Sequence, residues 1–198
     1  MSKFNSLLML LAASTMVTLP AYSQEGYKSE ITIQGMGSFT KETTQSGIKQ
    51  DATNTGGILA GYRFYFTERL GAEVNYGYTL NTQNYRMATG TTGIRSYSHE
   101  ATAALVYRVP FKKLNVFALA GAGAIVFHPK DLRGVDDQAR PAFVYGAGAD
   151  YNLTHRLFLR AEYRGLVYNS PTYNLVGLAD TDRTTHRAEP SVGVGFRF

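Results

Sequence analysis

The chain has 198 residues, one domain by length, with 44% hydrophobic residues, 18% charged residues and no Cys. Aromatics make up 13%, with 14 Tyr and 11 Phe, which excludes intrinsic disorder; the single long apolar run lies at the start, which excludes a helical membrane bundle. With no Cys there is no disulfide framework, thiol nucleophile or Cys zinc site, and 20 Gly beside many Tyr disfavour a helix-rich fold.

The first 24 residues read as a secretory leader. Lys3 supplies the positive start, residues 6–19 the apolar stretch, and Ala21 and Ser23 the small residues before a cut. An apolar stretch of about 14 residues is short of the roughly 20 a spanning helix needs. The expected division is therefore a cleaved signal peptide over 1–23 and one folded unit over 24–198.

Eight period-2 stretches follow, at about 29–39, 57–66, 70–80, 95–109, 114–127, 139–153, 157–168 and 183–198. Most are longer than a soluble strand and match the roughly 9–11 residues of a tilted transmembrane strand. Three connections are tight (67–69, 110–113, 154–156) and four are long and polar (40–56, 81–94, 128–138, 169–182). Short turns at one end and long loops at the other predict an all-β, eight-stranded antiparallel up-and-down transmembrane barrel.

The two faces separate by alternation. In the last stretch His186, Ala188, Pro190, Val192, Val194, Phe196 and Phe198 oppose Arg187, Glu189, Ser191, Gly193, Gly195 and Arg197. Stretches three, six and seven divide the same way, one face apolar and aromatic, the other rich in Gly and charge. Gly on the charged face makes room for Arg inside a narrow barrel. Stretch five is ambiguous: the turn at 110–113 and the pair Gly121 and Gly123 favour an inward Phe117, Leu119, Ile125 and Phe127, yet that face is the more hydrophobic one.

Turn lengths set the register. The turn at 67–69 brings Arg63 opposite Glu73, and that at 154–156 brings Asp150 opposite Arg160. The expected interior ion-pair network is Arg63, Glu73, Glu100, Arg108, Asp150, Arg160, Glu162, Arg164, Arg187, Glu189 and Arg197. Six Arg against five acids, with Arg140 left aside near a loop, fit a closed interior, since a buried charge is costly unless paired, and eight strands enclose a bore just wide enough for side chains. A passive or gated pore through the network is the alternative.

The C-terminal EPSVGVGFRF resembles the outer-membrane sorting signal read by the barrel-assembly machinery, carried by Val192, Val194, Phe196 and Phe198. Residues 57–78 (GILAGYRFYFTERLGAEVNYGY) resemble the second hairpin of the small outer-membrane β-barrel domain family, of which the OmpA-type transmembrane barrel is one form. The resemblance spans about residues 24–198. It implies a bacterial outer-membrane location, periplasmic turns, extracellular loops, and lipids and lipopolysaccharide as surroundings. The absence of Trp departs from the pattern and leaves the girdles to Tyr and Phe. The chain also stops at Phe198, without the peptidoglycan-binding domain that OmpA-type proteins often append, so no cell-wall tether is implied.

Some barrels of this size modify lipopolysaccharide, which makes catalysis worth testing against the residues. Ser98, His99 and Glu100 are adjacent, but on a strand His99 faces away from the other two and no relay forms. His99, His128, His155 and His186 lack metal-ligand spacing. No catalytic, metal or cofactor site is expected. Much of the excess Arg is assigned to the interior, so a pI of 9.4 does not imply nucleic acid. The four loops are the surface open to an unknown partner.

Overall fold

A computed structural model describes residues 28–41, 43–45, 48–52, 54–87, 90–129, 137–169 and 184–198. The expected leader, residues 130–136 of the 128–138 connection and all of the 169–182 connection after Asn169 lie outside these. Ten strands run in chain order: β1 (Ser29–Thr40), β2 (Thr43–Gln45), β3 (Ile48–Ala52), β4 (Thr55–Tyr65), β5 (Leu70–Met87), β6 (Gly90–Pro110), β7 (Leu114–Pro129), β8 (Gln138–Asn152), β9 (Leu157–Asn169) and β10 (Thr184–Arg197). All pairings are antiparallel. β1 and β4–β10 close an eight-stranded up-and-down barrel, sealed where β10 meets β1.

The ladders run without bulges, so the stagger can be read by following one rung around the barrel. From His99 it passes Tyr78, Ile58, Gly35, Val192, Ala161, Ala149 and Val116 and returns to the starting strand at Val109. The rung comes back ten residues lower, from 99 to 109. With eight strands, that shear tilts the staves by about 40°, inside the usual barrel range.

Two of the tight turns use one device. Thr67 Oγ1 accepts from the N–H groups of Arg69 (3.3 Å) and Leu70 (2.9 Å), and Thr154 Oγ1 accepts from Arg156 (3.2 Å) and Leu157 (2.9 Å). A threonine hydroxyl held to its own turn pins the loop length, and loop length fixes the register of the hairpin above it.

The outer face is apolar. Its middle carries Ile31, Ile33, Val74, Leu105, Leu159, Val192 and Val194, all exposed. Aromatics bound this zone. Phe66, Tyr107, Phe111, Tyr151, Phe196 and Phe198 lie at the short-turn end, and Phe39, Tyr76, Tyr78, Phe143 and Tyr145 lie toward the long-loop end. His99 and Tyr107, one in each band, stand eight residues apart on β6. At a 40° tilt that is roughly 20 Å, close to the apolar band of an outer-membrane barrel. Tyr and Phe thus form both girdles in a chain without Trp.

Histidines join the upper girdle. Tyr76 Oη and His99 Nδ1 are 2.6 Å apart, and Tyr145 Oη and His186 Nε2 are 2.8 Å apart. Tyr145 lies over Gly165, where an added Cβ would come within 2.5 Å of the tyrosine ring. The missing side chain is what lets the ring lie flat across the neighbouring strand.

Two expected loops are partly sheet. The 40–56 connection contains β2 and β3, with β3 paired to the upper part of β5. The 81–94 connection is a continued hairpin, in which β5 and β6 stay paired up to Met87 opposite Gly90. Once strands leave the membrane both faces are wet, so the apolar–polar alternation that marked them lower down disappears while backbone pairing continues. On β7 the faces resolve as the turn favoured: Phe117, Leu119, Ile125 and Phe127 are buried inside, and Ala118, Ala120, Ala122 and Ala124 face out.

Candidate functional site: the charged barrel interior

Alternation on eight staves delivers the charged residues to one enclosed bore. Arg63, Glu73, Glu100, Asp150, Arg160, Glu162, Arg164, Arg187, Glu189 and Arg197 are all buried, and Arg108 is half-buried at the lower end. They form two layers.

The lower layer centres on Glu30 and Arg160. Arg160 donates to both oxygens of Asp150 (Nε to Oδ1 2.7 Å, Nη2 to Oδ2 2.9 Å), the bidentate geometry that suits a planar guanidinium. It also reaches Glu30 at 3.1 Å and Glu73 at 3.3 Å. Arg63 Nε donates to Glu73 at 2.5 Å, and Asn75 steadies the other carboxylate oxygen at 2.6 Å. Arg197 donates to Glu30 at 2.8 Å and to Asn152 at 2.6 Å, while Arg108 reaches Glu30 at 3.4 Å. Aromatic rings face the guanidinium groups: Arg63 lies over Phe117 at 4.1 Å, Arg108 over Tyr65 at 3.8 Å and Arg197 over Phe158 at 4.2 Å.

The upper layer is a compact square. Arg164 and Arg187 each contact both Glu100 and Glu189; the Arg164–Glu189 and Arg187–Glu189 contacts are 2.5 and 2.6 Å. Arg187 also donates to Ser98 Oγ at 3.2 Å. Glu162 lies between the layers and accepts from Gln34 at 3.4 Å, with Ser191 donating to the other end of Gln34 at 3.1 Å. Beside and above the upper square, Ile125, Phe127, Val144, Leu166 and Tyr168 form an apolar wall inside β7–β9.

Glu30 is the member that sequence reasoning missed. It is fully buried and contacts Arg63, Arg108, Arg160 and Arg197. The signal was present: Glu30 alternates with Ile31 and Ile33, which face lipid. Adding it makes six arginines against six acids in these two layers, with Arg140, half-buried and of inward parity on β8, outside them. A balanced set satisfies the requirement that charge removed from water be neutralised in place, at distances where the local field is strong.

Ser98 and Glu100 are buried inside while His99 faces outward, so those three cannot act as a relay. Among the described residues, no group of three or more His, Asp or Glu is arranged to hold a metal ion.

The barrel superposes on solved outer-membrane proteins. OprG of Pseudomonas aeruginosa matches with a TM-score of 0.66 at 13% identity, over 89% of this chain and 98% of that one. Neisserial surface protein A matches at 0.61 and 17%, over 88% and 100%. Ail, the attachment invasion locus protein of Yersinia pestis, matches at 0.54 and 19%, over 88% and 100%. At these identities the likeness is one of fold. No curated protein sequence matches the chain. The model of the outer membrane protein beta-barrel domain matches residues 6–198, and with the closed eight-stranded barrel and its two aromatic girdles, this chain belongs to that family of the bacterial outer membrane.

Proposed function

We propose that this protein is a non-enzymatic, non-conducting barrel that serves the outer membrane as a structural and surface-presenting element. The charge-balanced double layer of ion pairs carries the reading, because it fills the bore that a pore would have to keep open. Residues 1–23 are the export leader. Val192, Val194, Phe196 and Phe198 are the signal read by the barrel-assembly machinery; all four lie on the exposed outer face of β10 and just beyond it. The β2–β3 hairpin and the upper part of β5–β6 offer backbone framework to a partner outside the cell.

Purified protein in a planar bilayer is expected to give no discrete conductance steps. Regular steps that change in size in Arg63→Ala or Glu73→Ala would replace this reading with a pore. Mass spectrometry of lipid A from cells with and without the protein is expected to show the same species; a changed acyl pattern would make it an enzyme. Deleting Phe198 is expected to slow membrane assembly several-fold, read as the rate at which the compact, heat-shifted gel form accumulates in cells, while leaving urea unfolding of the assembled barrel little changed.

A further inference from the structure

Among the described residues, every seam of the barrel but one is a continuous ladder. The exception is the closing seam. There the pairing of β1 with β10 stops after Met36 opposite Ser191 and resumes at Phe39 opposite Ala188, with the register unchanged. The skipped positions are Gly37 opposite Pro190 and Ser38 opposite Glu189. Ser29 and Phe198 exchange both backbone hydrogen bonds, at 3.2 and 2.9 Å, and the Lys41 N–H donates to the His186 carbonyl at 3.0 Å. Every second rung counted from Ser29 is therefore of the hydrogen-bonded kind, and Gly37–Pro190 is one of them. Pro190 has no N–H to give to the Gly37 carbonyl. On its other side Pro190 stays within the unbroken β9–β10 ladder, opposite Tyr163.

The break lies at membrane depth. Gly37 is two residues below Phe39 of the upper girdle and shares the outward parity of Ile31 and Ile33, and Pro190 is exposed on the same face. A Cβ at Gly37 would come within 2.7 Å of the Phe39 ring, so the ring lies against the break from the lipid side. In hydrocarbon no water replaces a missing ladder bond, so a mid-strand proline weakens the sheet where it stands. Pro110, by contrast, is the last rung of the β6–β7 ladder, and Pro141 lies just beyond the end of the β8–β9 ladder. The two parts of the closing seam are unequal. Below the break the ladder runs from Ser29 to Met36 and carries the Glu30–Arg197 hydrogen bond at 2.8 Å. Above it stand the Phe39 and Thr40 rungs and the Lys41 bond.

We infer that Pro190 divides the closing seam into two segments that open independently, a long lower one that stays shut and a short upper one that parts at the long-loop end. Opening of the upper segment breaks the bonds of Phe39 and Lys41 to β10 and leaves the Glu30–Arg197 pair and the other ladders in place. β10 itself stays fixed. Its Arg197 N–H donates to the Arg156 carbonyl, and by the same parity the Arg187 N–H is turned to β9. The Arg187 side chain is held by Glu100 and Glu189 in the upper square. The tip of β1, from Phe39 to Lys41, is the part that moves. Local opening of this kind draws on a unit of low stability and does not require the barrel to unfold.

Amide hydrogen exchange of the full protein in phospholipid nanodiscs, read residue by residue by NMR, tests the inference. The amides of Phe39 and Lys41 should exchange about tenfold faster than those of Ile31, Ile33 and Gly35, which donate across the lower segment. The Arg187 amide, opposite Thr40 but bonded into the intact β9–β10 ladder, should be as slow as the lower group. Pro190→Val restores a donor and should bring Phe39 and Lys41 to within about twofold of Ile33. The chain has no Cys, so Phe39→Cys with Ala188→Cys places a single staple across the upper segment. Its oxidised form should slow Lys41 about tenfold against the reduced form. Uniform exchange along the seam, equally fast exchange at Arg187, or fast exchange persisting in Pro190→Val with the heat-shifted gel form intact overturns the inference. So does a staple without effect, and because the staple leaves position 190 unaltered, that arm holds even if Pro190→Val fails to fold.

Discussion

Arg160→Leu is expected to be among the most damaging single substitutions in the bore. The guanidinium satisfies Asp150 by two hydrogen bonds and also reaches Glu30 and Glu73, so its removal leaves three buried carboxylates with too little positive charge. Removing one partner of a buried ion pair costs about 3–5 kcal/mol. Urea unfolding in phospholipid vesicles, followed by the loss of the compact gel form, measures the cost. Asp150→Leu combined with Arg160→Leu restores neutrality and fills the space with apolar volume, so the double variant should recover a large part of the loss. A double variant as unstable as the single one would show that packing, and not charge balance, sets the stability of the lower layer.

Gly148→Val is expected to reach the same layer from a different direction. A Cβ at Gly148 would lie 2.5 Å from Phe117 Cζ and 2.7 Å from the Ala161 carbonyl oxygen. The Phe117 ring supports Arg63 at 4.1 Å and Arg160 at 4.9 Å, so displacing it disturbs both guanidinium groups at once. Overpacking in a close-packed interior costs about 1–3 kcal/mol, and displacement of the ring beneath two guanidinium groups puts this position at about 3 kcal/mol or more. The same unfolding assay reads the loss. Ala120→Val, on the lipid face of β7, is the matched control and should be near neutral. Equal effects at the two positions would mean that β-sheet propensity, and not clearance inside the bore, governs the glycine.

The barrel was legible because the membrane imposes a period of two and the turns impose the register. Arg63 opposite Glu73 and Asp150 opposite Arg160 follow from nothing more than loop length. The grouping of the charges into two layers was not legible. Which rungs share a level depends on the shear of ten, which accumulates around the whole barrel and leaves no mark in any one hairpin. Glu30 escaped for a simpler reason, since its strand pairs with the chain's other end and no tight turn sets its register. The upper parts of β5 and β6 escaped because Asn, Thr, Gln and Gly carry no facial preference once both sides are in water.

Glu30 and Arg197 are 167 positions apart in sequence, yet they share a rung and a hydrogen bond. The Glu30–Arg197 contact of the lower layer is therefore made only when the last stave docks against the first. An open sheet entering the membrane would carry Arg197 without its hydrogen bond to Glu30 into low dielectric, a cost added to that of the missing backbone ladder. Closure and the pairing of Arg197 with Glu30 are one event, and the pair acts as a latch that tells a finished barrel from an unfinished one. Such a latch makes the slow, non-local step of folding the decisive one. Chains lacking their last hairpin should stall at the assembly site and should not enter the bilayer as leaky partial barrels.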